Sequence, residues 1–307
     1  MKYLPRAALV LLAASFALAP RGRGASLDFI NIPVSPKEAW CGGMPRSGGE
    51  AMDGLWYNPS YLGSLELPVS FALGMNLHLG TTLLAGGAAF KLGAFSFGLG
   101  ASGLLMDSIT GDLQFAGDGG RLVPAGSIRA TAAAALHFGE ADRARFRIGA
   151  GFQIAAETLD SVKQNAQFAQ VGALFTAPIA SRFTLGIAAD GRGLLVGSKT
   201  TGLFSLPPTA HAALSLSFDL NKHFDFAASV EGSWNEVDGV GVNLGLEGRF
   251  RKMFFLRVGS RFEANPSFTV GGGVMFDLPG PSALGLDLVG LPGRPGGETV
   301  AQIVYAR

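Results

Sequence analysis

The chain has 307 residues and carries 24 Lys and Arg against 23 Asp and Glu, which gives a formal net charge of +1. Hydrophobic residues make up 48% of it and charged residues only 15%, so it is too apolar for an intrinsically disordered protein. The balanced charge argues against a nucleic-acid-binding protein, and the single cysteine, Cys41, excludes an internal disulfide framework.

Residues 1–25 have the pattern of a secretory signal peptide. Lys2 and Arg6 precede an apolar run from Ala7 to Ala19, which is too short to cross a bilayer as a helix. An uncleaved anchor helix is the alternative interpretation. After this segment no stretch approaches the roughly 18 apolar residues of a membrane helix, so we predict an exported bacterial protein that is rich in β-strands.

Residues 67–307 alternate between apolar and polar side chains with a period of two, which is typical of strands with one apolar and one polar face. About fourteen such segments occur, each near the length of a tilted membrane-crossing strand. They span residues 67–79, 82–92, 94–105, 125–138, 144–157, 166–177, 182–192, 208–219, 223–234, 239–250, 253–263, 267–277, 282–290 and 298–307.

The connections between these strands also follow a pattern. The long ones, residues 106–124 and 193–207, come after the third and seventh strands, and those after even strands are short. Bacterial outer-membrane barrels have short periplasmic turns and longer outer loops, so we predict that both termini are periplasmic. A soluble β-sandwich would show the same alternation. Aromatic residues near strand ends favour the membrane barrel: Phe138, Phe175, Phe218, Trp234, Phe250 and Phe276.

Several short motifs carry no convincing catalytic or cofactor chemistry. Gly98, Gly100 and Gly103 match a dinucleotide-binding string, but no helix follows, so we interpret them as a bend or bulge in the third strand. The histidines show no metal-binding spacing and no nucleophile-elbow motif is present. We therefore predict a protein that is not an enzyme and needs neither a metal nor a cofactor.

Charged residues of both signs fall on the predicted inward faces. Because neither sign dominates, we interpret them mainly as a luminal network of ion pairs rather than a selectivity ring. The predicted network comprises Arg145, Arg147, Glu157, Arg182, Asp190, Asp225, Glu231, Glu247, Arg249, Arg257 and Arg261.

Residues 26–66, called here the N-terminal segment, do not alternate and are punctuated by Gly and Pro. They are too apolar for a free tail, so we predict that they plug the lumen. Within them, Ile32-Pro33, Gly42-Gly43 and the string Leu55-Trp56-Tyr57-Asn58-Pro59-Ser60 resemble the N-terminal stretch of the FadL-type outer-membrane long-chain fatty-acid transporters. Shorter relatives in spirochaetes and the PorV-type proteins are similar too.

The resemblance implies an all-β, fourteen-stranded antiparallel transmembrane barrel with a luminal hatch. Trp56, Asn58, Pro59 and Ser60 would form the hatch motif, although Ser60 replaces the usual Ala. In this family a kink in the third strand opens the wall sideways, and Gly98, Gly100 and Gly103 lie in that strand. The expected ligand is a hydrophobic small molecule.

From these observations we predict passive transport of hydrophobic compounds, with long-chain fatty acids as the leading ligand class, by a barrel embedded in outer-membrane lipid. Two alternatives remain open. The barrel could be a binding partner for surface or secreted proteins, or it could be a general porin for small polar solutes.

Overall fold

The computed structural model describes most of the predicted barrel and part of the N-terminal segment. The described residues are 34–35, 51–78, 81–106, 125–140, 143–159, 162–197, 208–235, 239–262, 267–278, 282–290 and 298–306. The predicted signal peptide, residues 1–25, lies outside them. No helix among the described residues is long and apolar enough to cross a membrane.

Fourteen antiparallel strands close into a single barrel. Each strand pairs with its neighbours in sequence, and β1 pairs with β14 to complete the ring. The strands are β1 (Val69–His78), β2 (Thr81–Leu92), β3 (Phe95–Met106), β4 (Ala125–Phe138), β5 (Arg145–Leu159), β6 (Val162–Ala180), β7 (Phe183–Gly197), β8 (Thr209–Asn221), β9 (Phe224–Asn235), β10 (Gly239–Phe250), β11 (Phe254–Phe262), β12 (Ser267–Leu278), β13 (Ser282–Gly290) and β14 (Glu298–Ala306).

The two faces of the wall have opposite chemistry. Along β10, Leu244 and Leu246 are 44% and 57% exposed, whereas the flanking Asn243 and Glu247 are each 2% exposed. The same alternation runs around the barrel, so large apolar side chains point outward and polar side chains point into the lumen. A water-soluble barrel would bury its apolar face, so this arrangement is that of a transmembrane barrel.

The predicted fold class and strand count are confirmed, and the alternative of a soluble sandwich is wrong because the sheet closes on itself. The largest differences in strand ends concern β6 and β7. β6 extends to Val162–Ala180 rather than 166–177, and β7 to Phe183–Gly197 rather than 182–192. Their backbones continue to pair beyond the alternating stretch, which the hydrophobic pattern does not record.

The connections divide the barrel into two different ends. Those after even strands are short, such as residues 93–94, 181–182 and 222–223, whereas those after β3 and β7 span residues 107–124 and 198–208. Because the strand number is even, β1 begins and β14 ends at the end with the short connections, which we call the short-turn end.

The outward position of Leu244, in the middle of β10, yields a test of lipid contact. We expect Leu244→Arg to lower the free energy of unfolding in lipid vesicles by about 2–4 kcal/mol, because a charged side chain at the bilayer midplane loses its hydration. Val240→Arg, on the same face but near the strand end, should cost about 0–1 kcal/mol. Denaturant unfolding followed by fluorescence measures both. Equal small losses would place this face in water.

Candidate functional site

The described part of the N-terminal segment runs inside the barrel along one half of the wall. It forms two 3-10 helices, Ala51–Leu55 and Pro59–Ser64, and nearly every residue from 52 to 63 is buried. The first helix contacts β1 to β4 and the second contacts β3 to β6. This part of the chain therefore fills the lumen beside the first six strands.

Asn58 fixes the start of the second 3-10 helix. Its side-chain oxygen accepts hydrogen bonds from the backbone N–H of Ser60 at 3.0 Å and from the Ser60 hydroxyl at 2.5 Å. Its amide nitrogen donates to the carbonyl of Ala189 on β7 at 3.4 Å. Pro59 occupies the first helical position, where no N–H is needed. The Asn-Pro-Ser sequence thus sets a helix and ties it to the wall.

Trp56 is held by side chains from three strands, two at its backbone and one at its ring. Its carbonyl accepts hydrogen bonds from Gln170 Nε2 at 3.1 Å and from Gln153 Nε2 at 3.4 Å. The Arg129 guanidinium lies 4.7 Å from the centre of the Trp56 ring, a cation–π contact, while its Nε donates to the Ser102 hydroxyl at 3.1 Å. These contacts satisfy a carbonyl that lies between two helices and would otherwise be buried without a partner.

Inward-facing glycines let the segment approach the wall at backbone distance. A Cβ atom added at Gly149 on β5 would overlap the backbone of Pro59, and one at Gly172 on β6 would overlap the side-chain oxygen of Asn58. Any other residue at these two positions would force the segment or the wall to move. The high glycine content of the chain thus has a packing role at this surface.

The glycines of the third strand split between the two faces. Cβ atoms added at Gly98 and Gly100 would lie 2.9 Å from Leu55 Cδ2 and 2.8 Å from Trp56 Cζ2, so both glycines face the N-terminal segment. Gly103 faces outward. β3 pairs with β2 and β4 in continuous register, so the expected bulge does not occur within it. Close approach of the segment, rather than a bulge, accounts for Gly98 and Gly100.

A buried charge cluster covers the opposite wall. Arg257 on β11 donates from Nε to Glu247 on β10 at 2.5 Å and from a terminal nitrogen to Asp287 on β13. Glu247 also accepts from Arg249 Nε at 2.8 Å, and Arg249 lies 3.8 Å from Asp225 on β9. Both acids that contact Arg257 are almost completely buried, so the cluster balances charges that have little access to water.

A second cluster of polar side chains extends over strands β7 to β11. His211 Nδ1 lies 2.7 Å from Glu231 Oε1, and His211 is the direct cross-strand partner of Asp190. Asn243 on β10 is the direct cross-strand partner of both Glu231 on β9 and Arg261 on β11. Register alone therefore brings a histidine, two acids, an amide and an arginine into neighbouring positions on the inner surface.

Two further residues of the predicted network, Arg147 and Glu157, lie in the half of the lumen that holds the N-terminal segment. Arg147 is buried, with its aliphatic chain 3.2 Å from the position of a Cβ added at Gly63 in the N-terminal segment. Glu157 accepts a hydrogen bond from the Ser127 hydroxyl at 3.4 Å. Both residues belong to the half of the lumen that holds the segment rather than to the charge cluster opposite.

Arg145 and Arg182 lie outside the luminal network that the sequence analysis predicted. Arg145 donates to the carbonyl of Glu140 at 3.3 Å, and Arg182 donates to the carbonyl of Leu220 at 3.4 Å. Both hydrogen bonds are exposed and lie at the short-turn end. Arg145 is the first residue of β5 and Arg182 lies in the turn before β7. The alternating pattern runs to the end of the wall, so it assigns an inward face to side chains that lie at the barrel rim.

Four contact residues escaped the sequence analysis: Arg129, Gln153, Gln170 and Asp287. All four lie on the inward face of their strands and are at most 4% exposed. Arg129 and Asp287 could have been found as the only charged residues of β4 and β13. The two glutamines carry no sequence signal of their own, because the carbonyl that they bind belongs to a distant segment.

The outer face of the wall is concave where the N-terminal segment lies behind it. An apolar cavity of about 880 Å³ is lined from β1 to β5 and from β13 and β14. Outward-facing residues such as Leu73, Leu84, Ala101, Ile128 and Ile154 contribute to it. Small residues such as Gly103 and Ala130, surrounded by larger ones, leave this depression in the outer surface. Among the described residues, no three His, Cys, Asp or Glu side chains form a group that could hold a metal ion.

Gly149 allows the contact between the segment and β5 to be tested. We expect Gly149→Ala to displace Pro59 and destabilise the packed segment by about 1–3 kcal/mol, as overpacking does in protein cores. Hydrogen–deuterium exchange of residues 51–64 should then become faster. Gly126→Ala is the matched control, because a Cβ added there has no neighbour within 4 Å. Unchanged exchange in Gly149→Ala would contradict the contact.

Arg257 tests the buried charge cluster. We expect Arg257→Met to lower the free energy of unfolding by about 3–5 kcal/mol, because Glu247 and Asp287 would keep buried charges without a counterion. Arg249→Met should cost less, since the Arg249 side chain is 28% exposed and can be replaced by water. Urea unfolding in detergent micelles measures both variants. Equal losses would show that the cluster is hydrated.

No protein-family model and no curated protein sequence matches the chain. Solved structures do: the toluene transporter TodX of Pseudomonas putida is similar over 93% of this chain and 97% of its own, with 11% identity and a TM-score of 0.55. The monoaromatic hydrocarbon channel CymD covers 90% and 97%, with 12% identity and a TM-score of 0.54.

A FadL homologue of Pseudomonas aeruginosa is similar over 89% of this chain and 97% of its own, with 13% identity and a TM-score of 0.50. At such low identity these likenesses show the fold. Their coverage includes nearly the whole chain, and the apolar outer surface described above agrees with an outer-membrane location. The chain is a transmembrane β-barrel with the fold of the FadL-family transporters, in agreement with the resemblance of its N-terminal sequence.

Proposed function

We propose that this barrel carries hydrophobic compounds across the outer membrane by passive diffusion, and that long-chain fatty acids are the ligand class to test first. The N-terminal segment would act as the hatch, with Trp56, Asn58, Pro59 and Ser60 as its core. The structural relatives named for toluene and for monoaromatic hydrocarbons support hydrophobic cargo in general. Both termini would lie in the periplasm.

One observation carries the proposal. Apolar surface lies on both sides of a thin part of the wall. On the inside, Met52, Leu55 and Trp56 form a buried apolar cluster against β2 and β3. On the outside, the apolar cavity of about 880 Å³ touches the same two strands. Gly87 on β2 and Gly100 on β3 face the inner cluster, and they directly adjoin Gly86 and Ala101, which line the cavity.

This arrangement suits a ligand that avoids water. Each buried methylene contributes about 0.8 kcal/mol, so a chain of about ten methylenes gains about 8 kcal/mol in an apolar site. The hydrogen bonds of Gln153 and Gln170 to the Trp56 carbonyl stabilise the hatch by about 1 kcal/mol each. A ligand that replaces the apolar contacts of Leu55 and Trp56 could therefore displace the hatch. It would then leave sideways into the membrane.

A reversible disulfide between the hatch and the wall tests this mechanism. Leu55→Cys and Gly98→Cys, in a Cys41→Ser background, would link the hatch to β3, because a Cβ added at Gly98 lies 2.9 Å from Leu55 Cδ2. Expressed in a bacterial host without its own fatty-acid uptake protein, the wild type should take up labelled oleate. The oxidised double-cysteine variant should lose at least about ten-fold in rate, since a fixed hatch leaves no path, and a reductant should restore it.

The Leu55→Cys single variant is the matched control and should retain uptake under both redox conditions. Equal uptake by the oxidised and reduced double variant would contradict a moving hatch. No uptake by the wild type would contradict the transport proposal itself. Steady conductance in planar bilayers would instead favour a general porin, and a stoichiometric protein partner without bound lipid would favour a binding module.

A further inference from the structure

The connections at the two ends of the barrel carry opposite charge. Those at the short-turn end, after the even strands, contain five basic and two acidic residues, a net charge of +3. Those after the odd strands contain three basic and seven acidic residues, a net charge of −4. The overall charge of +1 conceals this difference, which only the strand topology makes visible.

The basic residues at the short-turn end are concentrated in neighbouring turns. Arg182 lies between β6 and β7, Lys222 between β8 and β9, and Arg251 and Lys252 between β10 and β11. All four residues are exposed, and β6 to β11 are consecutive in the barrel. We call these four residues the basic turn belt.

Aromatic side chains lie directly beside the belt. Phe183 and Phe218 stack with ring centres 4.7 Å apart, and Phe224 lies 4.8 Å from Phe250. The Arg251 guanidinium lies 5.2 Å from the centre of the Phe250 ring. Aromatic rings in this position are typical of the boundary between the hydrocarbon core and the lipid headgroups. The belt therefore lies at headgroup level or just beyond it.

The local conformation of the last turn adds an independent observation. Met253 donates to the Phe250 carbonyl at 3.1 Å, which closes a tight turn around Arg251 and Lys252. Their φ angles are +54° and +57°, in the left-handed region where Asn and Gly are preferred. Arg and Lys are strained in this region, so positive charge occupies a turn that Asn-Gly would stabilise better.

We propose that the basic turn belt binds the phosphate groups of anionic phospholipids, of the phosphatidylglycerol type, in the leaflet at the short-turn end. Basic residues near an anionic membrane surface attract its headgroups, and the adjoining aromatic rings lie where the acyl chains begin. Such contacts would give the barrel a lipid preference at one end only. The proposal rests on the transmembrane fold and does not depend on the transported ligand.

Spin-labelled lipids test the proposal on the full barrel in vesicles of neutral phosphatidylcholine. We expect labelled phosphatidylglycerol to associate with the wild type roughly three-fold more strongly than labelled phosphatidylcholine at low salt. The preference should disappear in about 1 M salt, which screens exposed charges. A variant with Lys222→Gln, Arg251→Asn and Lys252→Gly should lose most of the preference, and its Asn-Gly turn should fold at least as well as the wild type.

The matched control removes three basic residues from the other end: Arg121→Gln, Lys199→Gln and Arg294→Gln. It should keep the phosphatidylglycerol preference. A second variant, Arg182→Gln with Lys222→Gln, leaves the strained turn intact and should reduce the preference by about half. No preference in the wild type, or an unchanged preference in the turn variant, would overturn the proposal. So would a turn-dependent preference for labelled lipid A without one for phosphatidylglycerol.

Discussion

The structure depends on one constraint: a sheet in contact with lipid must pair every backbone N–H and C=O within itself. The pairing of β1 with β14 meets this constraint, because it removes the two edges that an open sheet would expose. Once the sheet is closed, the period-two alternation divides the side chains of every strand between an outer and an inner face. The rows that contain Leu73 and Leu244 meet lipid, and the rows that contain Arg129 and Glu247 meet the interior.

A closed wall with polar side chains inside creates a second requirement, since those side chains need partners. The chain meets it differently in the two halves of the lumen. Beside β1 to β6, wall side chains bind the carbonyls and rings of the N-terminal segment, and glycines bring the two backbones together. Beside β9 to β13, charged side chains bind one another across strands, with Arg257 between Glu247 and Asp287. The proposed transport therefore concerns the first half.

Sequence reasoning succeeded for strands because each strand carries its own local signal. β4, β10 and β13 begin and end at the predicted residues. The other strands occur where they were predicted, but their first or last residues differ. It was weaker for the site. The amides of Gln153 and Gln170 bind a carbonyl about a hundred residues away, and no local pattern encodes such a contact. The alternating pattern also placed Arg145 and Arg182 in the lumen, because alternation does not show where the interior of the barrel ends and its rim begins.

The sequence by itself determined the alternating wall, the number of strands, the even and odd connections and the apolar N-terminal segment, because these features depend on neighbouring residues and on the period of a strand. Only the tertiary structure decided which inward residues meet. Strand register set the row from Asp190 to Arg261, and close approach gave Gly98 and Gly149 their roles. Topology also sorted the charged turns to opposite ends. These contacts join distant parts of the chain, so their geometry exists only after the barrel has closed.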